Sequence, residues 1–309
     1  MTPPTIVVLG GLNMDLIGVV DRLPEPGETI SGEQFFTTPG GKGANQAVAA
    51  ARMGARVKMV GRVGDDLFGP ILRDGMRANG IDVSAVALDE ANPTGVAMIL
   101  LDATKENYIV AVYGANMACD AEQVRQVESA LEGADWLMLQ LEVPADVSLE
   151  AARAARRRGV PVVWDPAPPA TMSADGYTAL DIVTPNQREA AVLTGVEVDD
   201  VASAAKAAQA LLDLGAPAAV VKLGEKGAYF ASAESSGYVQ AFEVEVVDTV
   251  AAGDAFAGAL AVALAEGRNL KDAVRYGAAA GALAVTKPGA QEAMPTRADV
   301  DALVAAAGT

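Results

Sequence analysis

Histidine is absent from this sequence, and cysteine occurs once, at Cys119. Without an imidazole there is no Ser-His-Asp or Cys-His catalytic pair and no His-ligated metal centre. A single thiol cannot form an intramolecular disulfide, which makes a reducing cytosol the natural compartment. In "NMACDAEQV" Asp120 has the character of a helix N-cap, and Cys119 before it is expected to be a packing residue. Basic residues are scarce: 23 Lys and Arg stand against 40 Asp and Glu, a formal net charge of −17. Such a chain has little with which to neutralise a run of phosphates, which argues against a nucleic-acid partner. No apolar run reaches the ~18 residues that a membrane span requires. The start, "MTPPTIVVLGG", has neither a basic region nor a cleavage site. A soluble cytoplasmic protein without a membrane partner is the expectation. The phosphate-binding sequence GxxxxGK[ST] is missing, and no GxGxxG follows the first apolar run.

What is present is apolar sequence in regular alternation. Hydrophobic residues make up 51% of the 309, and charged residues 20%, as in a globular protein with a sizeable core. "TIVVLGG" reads as a strand covered on both faces. "KGANQAVAAARMG", "DDLFGPILRDGMRANG" and the segments 120–133, 148–158, 187–194 and 201–214 read as helices. Strands are expected at "VKMVGRVG", "DWLMLQLEV", "VPVVWDPAP", "DIVTPN", "AAVVKLG" and "YVQAFEVEVV". The alternation predicts an α/β fold: a mostly parallel sheet sandwiched by helices. Two β insertions, at about 12–40 and 92–116, break the rhythm and predict a small β-sheet lid on a single domain spanning 1–309. Phe35 and Phe36 are expected to anchor that lid. Ligands of open α/β sheets sit beyond the carboxyl ends of the strands. The polar sequences "GGLNMD", "LE", "DPAP", "TPNQRE" and "KLGEKG" all fall there.

"DTVAAGDAF", Asp248 to Phe256, opens the apolar helix "AFAGALAVALAEG". Small residues there leave the N–H groups of Ala251, Ala252 and Gly253 uncovered at the positive end of a helix dipole. Those groups suit the charge that develops on a transferring phosphoryl group. Asp254, placed at the first helical position, borders that anion hole and suits the proton of an attacking hydroxyl. A first-turn acid beside a tight-turn glycine would have the same sequence. "GGKGAN", Gly40 to Asn45, is a second glycine-rich helix start, equally open to a phosphate-binding or a turn role.

Ten segments occur in order: "GGLNMD", "PGGKGANQAVAAARMGA", "VGRVGDDLFG", "TGVAMI", "ENYIVAVYGAN", "LQLEVP", "DPAP", "TPNQREAAVLTG", "KLGEKGA" and "VDTVAAGDAFAGAL". Together they resemble the ribokinase family of carbohydrate kinases over essentially the whole chain. The resemblance implies transfer of the ATP γ-phosphoryl group to the primary hydroxyl of D-ribose, giving ribose 5-phosphate. Asp254 would be the general base, with Ala251, Ala252 and Gly253 as the anion hole. Sugar recognition would fall to Asn13, Asp15, Gly41, Lys42, Asn45 and Glu142, although Lys42 suits phosphate as well and Glu142 could instead cap a helix. ATP would lie along Asn186, Glu189, Lys222, Gly224 and Gly227, with Asn186 and Glu189 arranging Mg2+ through water. Asp248, Val250, Ala284, Lys287 and Gly289 would surround a monovalent cation, K+.

The sequence departs from that pattern at several points. Val250 replaces a frequent threonine, Ala293 a serine whose hydroxyl ligates the cation, and Ala278 a polar residue that meets the base. Lys105 stands at a hairpin tip where glycine is usual. Edges of a β lid invite pairing between subunits, so a homodimer through the lid is expected. A sibling kinase acting on 2-deoxyribose, fructose, a nucleoside or a keto-deoxy acid stays open. So does an inactive sugar-binding regulator, against which the intact Gly253 and Asp254 argue.

Overall fold

The computed structural model describes every residue except Met1, Lys105, Glu106, Ser173 and Thr309. The substitution at Lys105 therefore lies outside the described residues. The first apolar run forms β1 (Thr5–Leu9), buried along its whole length. β2 (Asn13–Val19) and β3 (Gln34–Gly40) follow and join a different sheet. The α/β rhythm resumes with α1 (Lys42–Arg52), β4 (Arg56–Gly64), α2 (Phe68–Ala78) and β5 (Asp82–Asp89). A hairpin of β6 (Gly95–Leu101) and β7 (Asn107–Val112) interrupts it again. Then come α3 (Ala121–Ala130), β8 (Trp136–Leu139), α4 (Ala145–Arg157), β9 (Val162–Trp164), α5 (Ala174–Tyr177) and β10 (Ile182–Val183). Helices α6 (Gln187–Thr194) and α7 (Val201–Asp213) precede β11 (Ala218–Lys222) and the hairpin of β12 (Ala228–Ser232) and β13 (Ser236–Val239). The remaining helices are α8 (Ala252–Ala265), α9 (Leu270–Ala284) and α10 (Arg297–Ala306).

Nine strands form the larger sheet in the order β13-β12-β11-β10-β9-β8-β1-β4-β5. From β11 to β5 all neighbours are parallel, and β12 alone runs against the rest, antiparallel to both β11 and β13 at one edge. Alternate residues of β1 feed opposite cores, as the two-residue period of a strand requires. Ile6 and Val8 pack with α1, α8 and α9, whereas Val7 and Leu9 pack with α3, α4 and α7. This is the layered α/β fold expected from the sequence. No helix among the described residues is long and apolar enough to cross a membrane. Asp120 caps α3 as expected, and Cys119 is buried, its thiol pushed up to about 12 by desolvation.

The two insertions form one four-stranded sheet, β3-β2-β6-β7, in which β2 and β6 are parallel and the outer pairs antiparallel. Register places Phe36, Ile17, Ile99 and Ile109 in one cross-strand row, on the same face as Asp15 two positions earlier on β2. The expectation that Phe35 and Phe36 anchor this sheet is not met: they are 71% and 45% exposed. Both lie in the exposed first half of β3, an edge strand of the smaller sheet.

Four expected strands are clearly shorter in the structure: "VPVVWDPAP" pairs only over Val162–Trp164 and "DIVTPN" only over Ile182–Val183, and two more stop early. "YVQAFEVEVV" pairs only as far as Val239, opposite Ala228. Its partner turns away at Gly227 (φ 88), so the ladder has nothing further to bond to, although side chains beyond it stay partly buried. β8 ends at Leu139, and Gln140 to Val143 bend out of the ladder.

Candidate active site

α8 begins one residue after Ala251, the one non-glycine residue with positive φ (57°) among those described. A left-handed alanine costs on the order of 1 kcal/mol, and such strain collects at functional sites. This turn makes Ala252 the first helical residue and Asp254 the third, two positions later than the sequence suggested. No side chain caps α8. The first-turn N–H groups of Ala252, Gly253 and Asp254 therefore lack a partner within the helix. A Cβ built on Gly253 would find one neighbour, the Lys222 Nζ at 3.4 Å. The helix mouth is thus open, with an ammonium beside it, as an anion site requires.

The Asp254 carboxylate is buried and held at both oxygens by α1. Asn45 Nδ2 donates to Oδ2 at 3.0 Å, and Gln46 Nε2 donates to Oδ1 at 3.1 Å. Close packing of α1 on α8 makes this possible: a Cβ on Gly258 would lie 2.5 Å from the Ala49 Cβ and 3.0 Å from the Gln46 carbonyl. Burial, reinforced by Asp165, raises the pKa of Asp254, and Lys42 with the two amides works against them. A carboxylate more basic than usual is suited to taking a proton from an alcohol. The Asn45 Oδ1 is buried with no partner among the described residues, an acceptor available to a ligand hydroxyl.

Gly41 adopts φ 89° before α1, and a Cβ there would fall 2.7 Å from the Asn13 nitrogen and the Gly11 oxygen. Only glycine lets the start of α1 approach β2 this closely. Lys42 opens α1, and its backbone N–H donates to Glu142 Oε2 at 2.7 Å. Glu142 thus caps α1, the alternative its sequence had left open, while its position beyond β8 keeps it at the site. Burial lowers the pKa of Lys42, but Asp254, Asp165, Glu142 and Glu189 outweigh it, and the net shift is upward. Burial pushes Glu142 to about 7, against the pull of Lys42. Asp15 likewise rises to about 7, through burial and then through Asp254 and Glu292. Asn13 is buried, and its Oδ1 accepts from Asn116 Nδ2 at 2.8 Å.

Asn186 and Glu189 form a capping box on α6: Asn186 Oδ1 accepts from the Glu189 N–H at 2.9 Å, and Glu189 Oε2 from the Asn186 N–H at 2.7 Å. Burial and the nearby Asp165 raise the pKa of Glu189. Gly224 (φ 60°) and Gly227 (φ 88°) carry the turn between β11 and β12. For Gly227 that turn is a sufficient reason, since a Cβ would overlap the Val239 carbonyl. Asp248 ties two loops together, accepting from the N–H of Val250 at 3.0 Å and of Gly289 at 3.0 Å. Ala284 ends α9, Lys287 lies between it and Gly289, and Ala293 is buried with no side-chain oxygen to offer.

Three residues of this network were not singled out in the sequence. Gln46 bridges Asp254 and Asp165 through one amide nitrogen, Gln140 Nε2 donates to Gln46 Oε1 at 2.5 Å, and Asp165 pairs with Lys222 at 2.7 Å. Only their neighbours gave a signal: Gln46 follows Asn45, and Asp165 opens "DPAP" beyond a strand.

Residues 4–297 match the model of the pfkB family carbohydrate kinases. The chain belongs to that family. It is 41% identical to ribokinase of Haemophilus influenzae over 293 residues, covering 95% of this chain and 96% of the relative. Ribokinase of Schizosaccharomyces pombe is 39% identical over 307 residues, with 96% of each chain covered. Among solved structures, Arabidopsis thaliana ribokinase complexed with ribose and ATP superposes with a TM-score of 0.90 at 33% identity, covering 98% of this chain and 99% of that one. The larger sheet, the smaller sheet and the mouth of α8 are therefore those of a sugar kinase of this family.

Proposed function

We propose that this protein transfers the γ-phosphoryl group of ATP to the primary hydroxyl of D-ribose, yielding ribose 5-phosphate and ADP. The observation that carries the reading is a buried Asp254 of raised basicity beside the uncapped N-terminus of α8. Asp254 takes the hydroxyl proton as the oxygen bonds to the γ-phosphorus, and the bond from that phosphorus to the bridging oxygen of ADP breaks. The N–H groups of Ala251, Ala252 and Gly253 hold the charge that grows on the equatorial oxygens. The proton leaves Asp254 for solvent once the product has gone.

Asn13, Asp15, Gly41, Lys42, Asn45 and Glu142 surround the sugar, and Asn186, Glu189, Lys222, Gly224 and Gly227 the nucleotide. Adjacent sugar hydroxyls suit the carboxylates and carboxamides here, which accept and donate in pairs. The buried Asn45 Oδ1, which has no partner among the described residues, suits one such hydroxyl. Mg2+, which keeps most of its water, would be held through that water by Asn186 and Glu189 at the start of α6, and would supply charge neutralisation on the phosphates. A monovalent cation fits the Asp248 loop in part: Asp248 joins the Val250 and Gly289 segments, but Ala293 contributes no oxygen. Weak or altered K+ activation follows. The four-stranded sheet serves as a lid over the sugar, with its exposed apolar row available to a second subunit.

Turnover of ATP with D-ribose, 2-deoxyribose, fructose and adenosine tests the assignment. Ribose is expected to give the highest kcat/KM. The deoxy sugar should fall roughly 10-fold or more below it, because a polar group built for the 2-hydroxyl is left unpaired. A higher kcat/KM for another substrate would keep the chemistry and change the substrate.

A further inference from the structure

Lys222 is expected along the nucleotide, yet its ammonium lies at the mouth of α8. The nearest atom to a Cβ on Gly253 is the Lys222 Nζ, at 3.4 Å. What holds it there is Asp165, buried at the end of β9, whose Oδ1 accepts from Nζ at 2.7 Å and from the Thr184 hydroxyl at 3.1 Å. The other oxygen, Oδ2, accepts from Gln46 Nε2 at 2.9 Å, and the same nitrogen donates to Asp254 Oδ1 at 3.1 Å. An amide nitrogen has two hydrogens, one for each carboxylate. Gln140 fixes the orientation of the amide by donating to its oxygen. Base and ammonium are thus joined by a single chain of buried contacts.

We propose that Asp165 and Gln46 are positioning residues, a clamp that holds the Lys222 ammonium and the Asp254 carboxylate on two sides of the transferring phosphoryl group. The proposal rests on the phosphoryl-transfer reading above. It moves Lys222 from the nucleotide track to the reacting centre. Asp165 supplies the counter-charge that keeps the ammonium in place, and Gln46 keeps two carboxylates together that would otherwise repel.

Three measurements test it. The first needs no turnover: calorimetric binding of ADP and of the non-hydrolysable ATP analogue AMP-PNP to the wild type, D165N and K222M. Each variant should bind AMP-PNP about 10-fold more weakly, the order of loss for one charge-assisted contact, while ADP affinity changes less than twofold. Equal losses for both nucleotides would place Lys222 on the nucleotide track and overturn the proposal.

The second is kcat for D165N, K222M and the double variant. Each single change should lower kcat by ~10²-fold, the size seen when one electrostatic donor is removed, with the sugar KM held within about threefold. The double variant should be no worse than the poorer single. Penalties that multiply would overturn the clamp. If D165N does not fold, by thermal unfolding, K222M on the open side of the clamp carries the comparison.

The third is the acid limb of kcat against pH, where ionised Asp254 is the active form. Removing the negative charge of Asp165 lowers the pKa of Asp254, so in D165N the limb moves to lower pH. In Q46M a donor to the carboxylate is lost, and the limb moves to higher pH. Lys42 from α1, Asp15 from β2 and Glu142 beyond β8 also act on Asp254 and are unaltered in both variants. Limbs that shift together, or not at all, would overturn the proposal. A wild type that transfers phosphoryl to no sugar but shows the AMP-PNP selectivity would refute the substrate reading and leave the clamp standing.

Discussion

Asp254 is buried beside Asp165, yet it has to ionise before it can take a proton. Asn45, Gln46 and Lys42 all favour the ionised form. Asp254→Asn removes the base and should reduce kcat ~10²- to 10⁴-fold, with an unfolding temperature no lower than that of the wild type. Gly253→Ala tests the anion hole. Its one near neighbour, the Lys222 Nζ at 3.4 Å, is in ordinary van der Waals range, so the variant should fold normally, while its methyl group would intrude on the proposed phosphoryl site. An unchanged Tm with a kcat/KM for ATP lower by ~10-fold or more is expected, on the scale of one lost anion-hole contact. Stability should also depend on pH. Asp15 and Glu142 both titrate at about 7 in the fold, against about 4 when exposed. Between these values the folded state binds more protons than the unfolded one, so stability falls as pH rises from about 4 to about 7. Denaturant titrations should show that slope, and Asp15→Asn should flatten it. Asp254 was legible because it sits in a local motif. Gln46 and Asp165 were not, because their partners are 208 and 57 positions away in the chain.

At the scale of elements, the site depends on how closely α1 lies on α8. Gly258 has no room for a methyl group against Ala49, Ala50 and the Gln46 carbonyl. Gly258→Ala therefore should push α1 outward, cost on the order of 1–3 kcal/mol as overpacking does, and draw Asn45 and Gln46 away from Asp254. A fall in both Tm and kcat checks this; a lower kcat at unchanged stability would contradict it. Helices were read well from the sequence because their apolar spacing is local: α6 was expected at 187–194 and is found there. Strand ends were read less well. Whether "YVQAFEVEVV" pairs depends on a neighbour that turns away at Gly227, and no periodicity within the segment carries that information.

For the whole molecule, the large sheet and the smaller one were both expected from alternating strands and helices with two β interruptions. What the chain could not reveal about itself was the fate of the smaller sheet's apolar row. Phe36 and Ile109 remain 45% and 55% exposed on the face that carries Asp15, and Phe35 is 71% exposed. A second subunit that covers this surface is the proposed remedy. Light scattering at micromolar concentration should give the mass of a dimer, about twice 31.5 kDa, and Ile109→Asp should shift it toward the monomer. A wild-type monomer would leave the lid unpaired.

The most direct measurement is a single-turnover reaction of the protein with ATP and D-ribose, followed by NMR of the product, with Asp254→Asn in parallel. Ribose phosphorylated at the 5-oxygen by the wild type, and at least ~10²-fold more slowly by the variant, is the predicted result. Phosphorylation at another oxygen, or equal rates for both proteins, would contradict the role assigned to Asp254 at the mouth of α8.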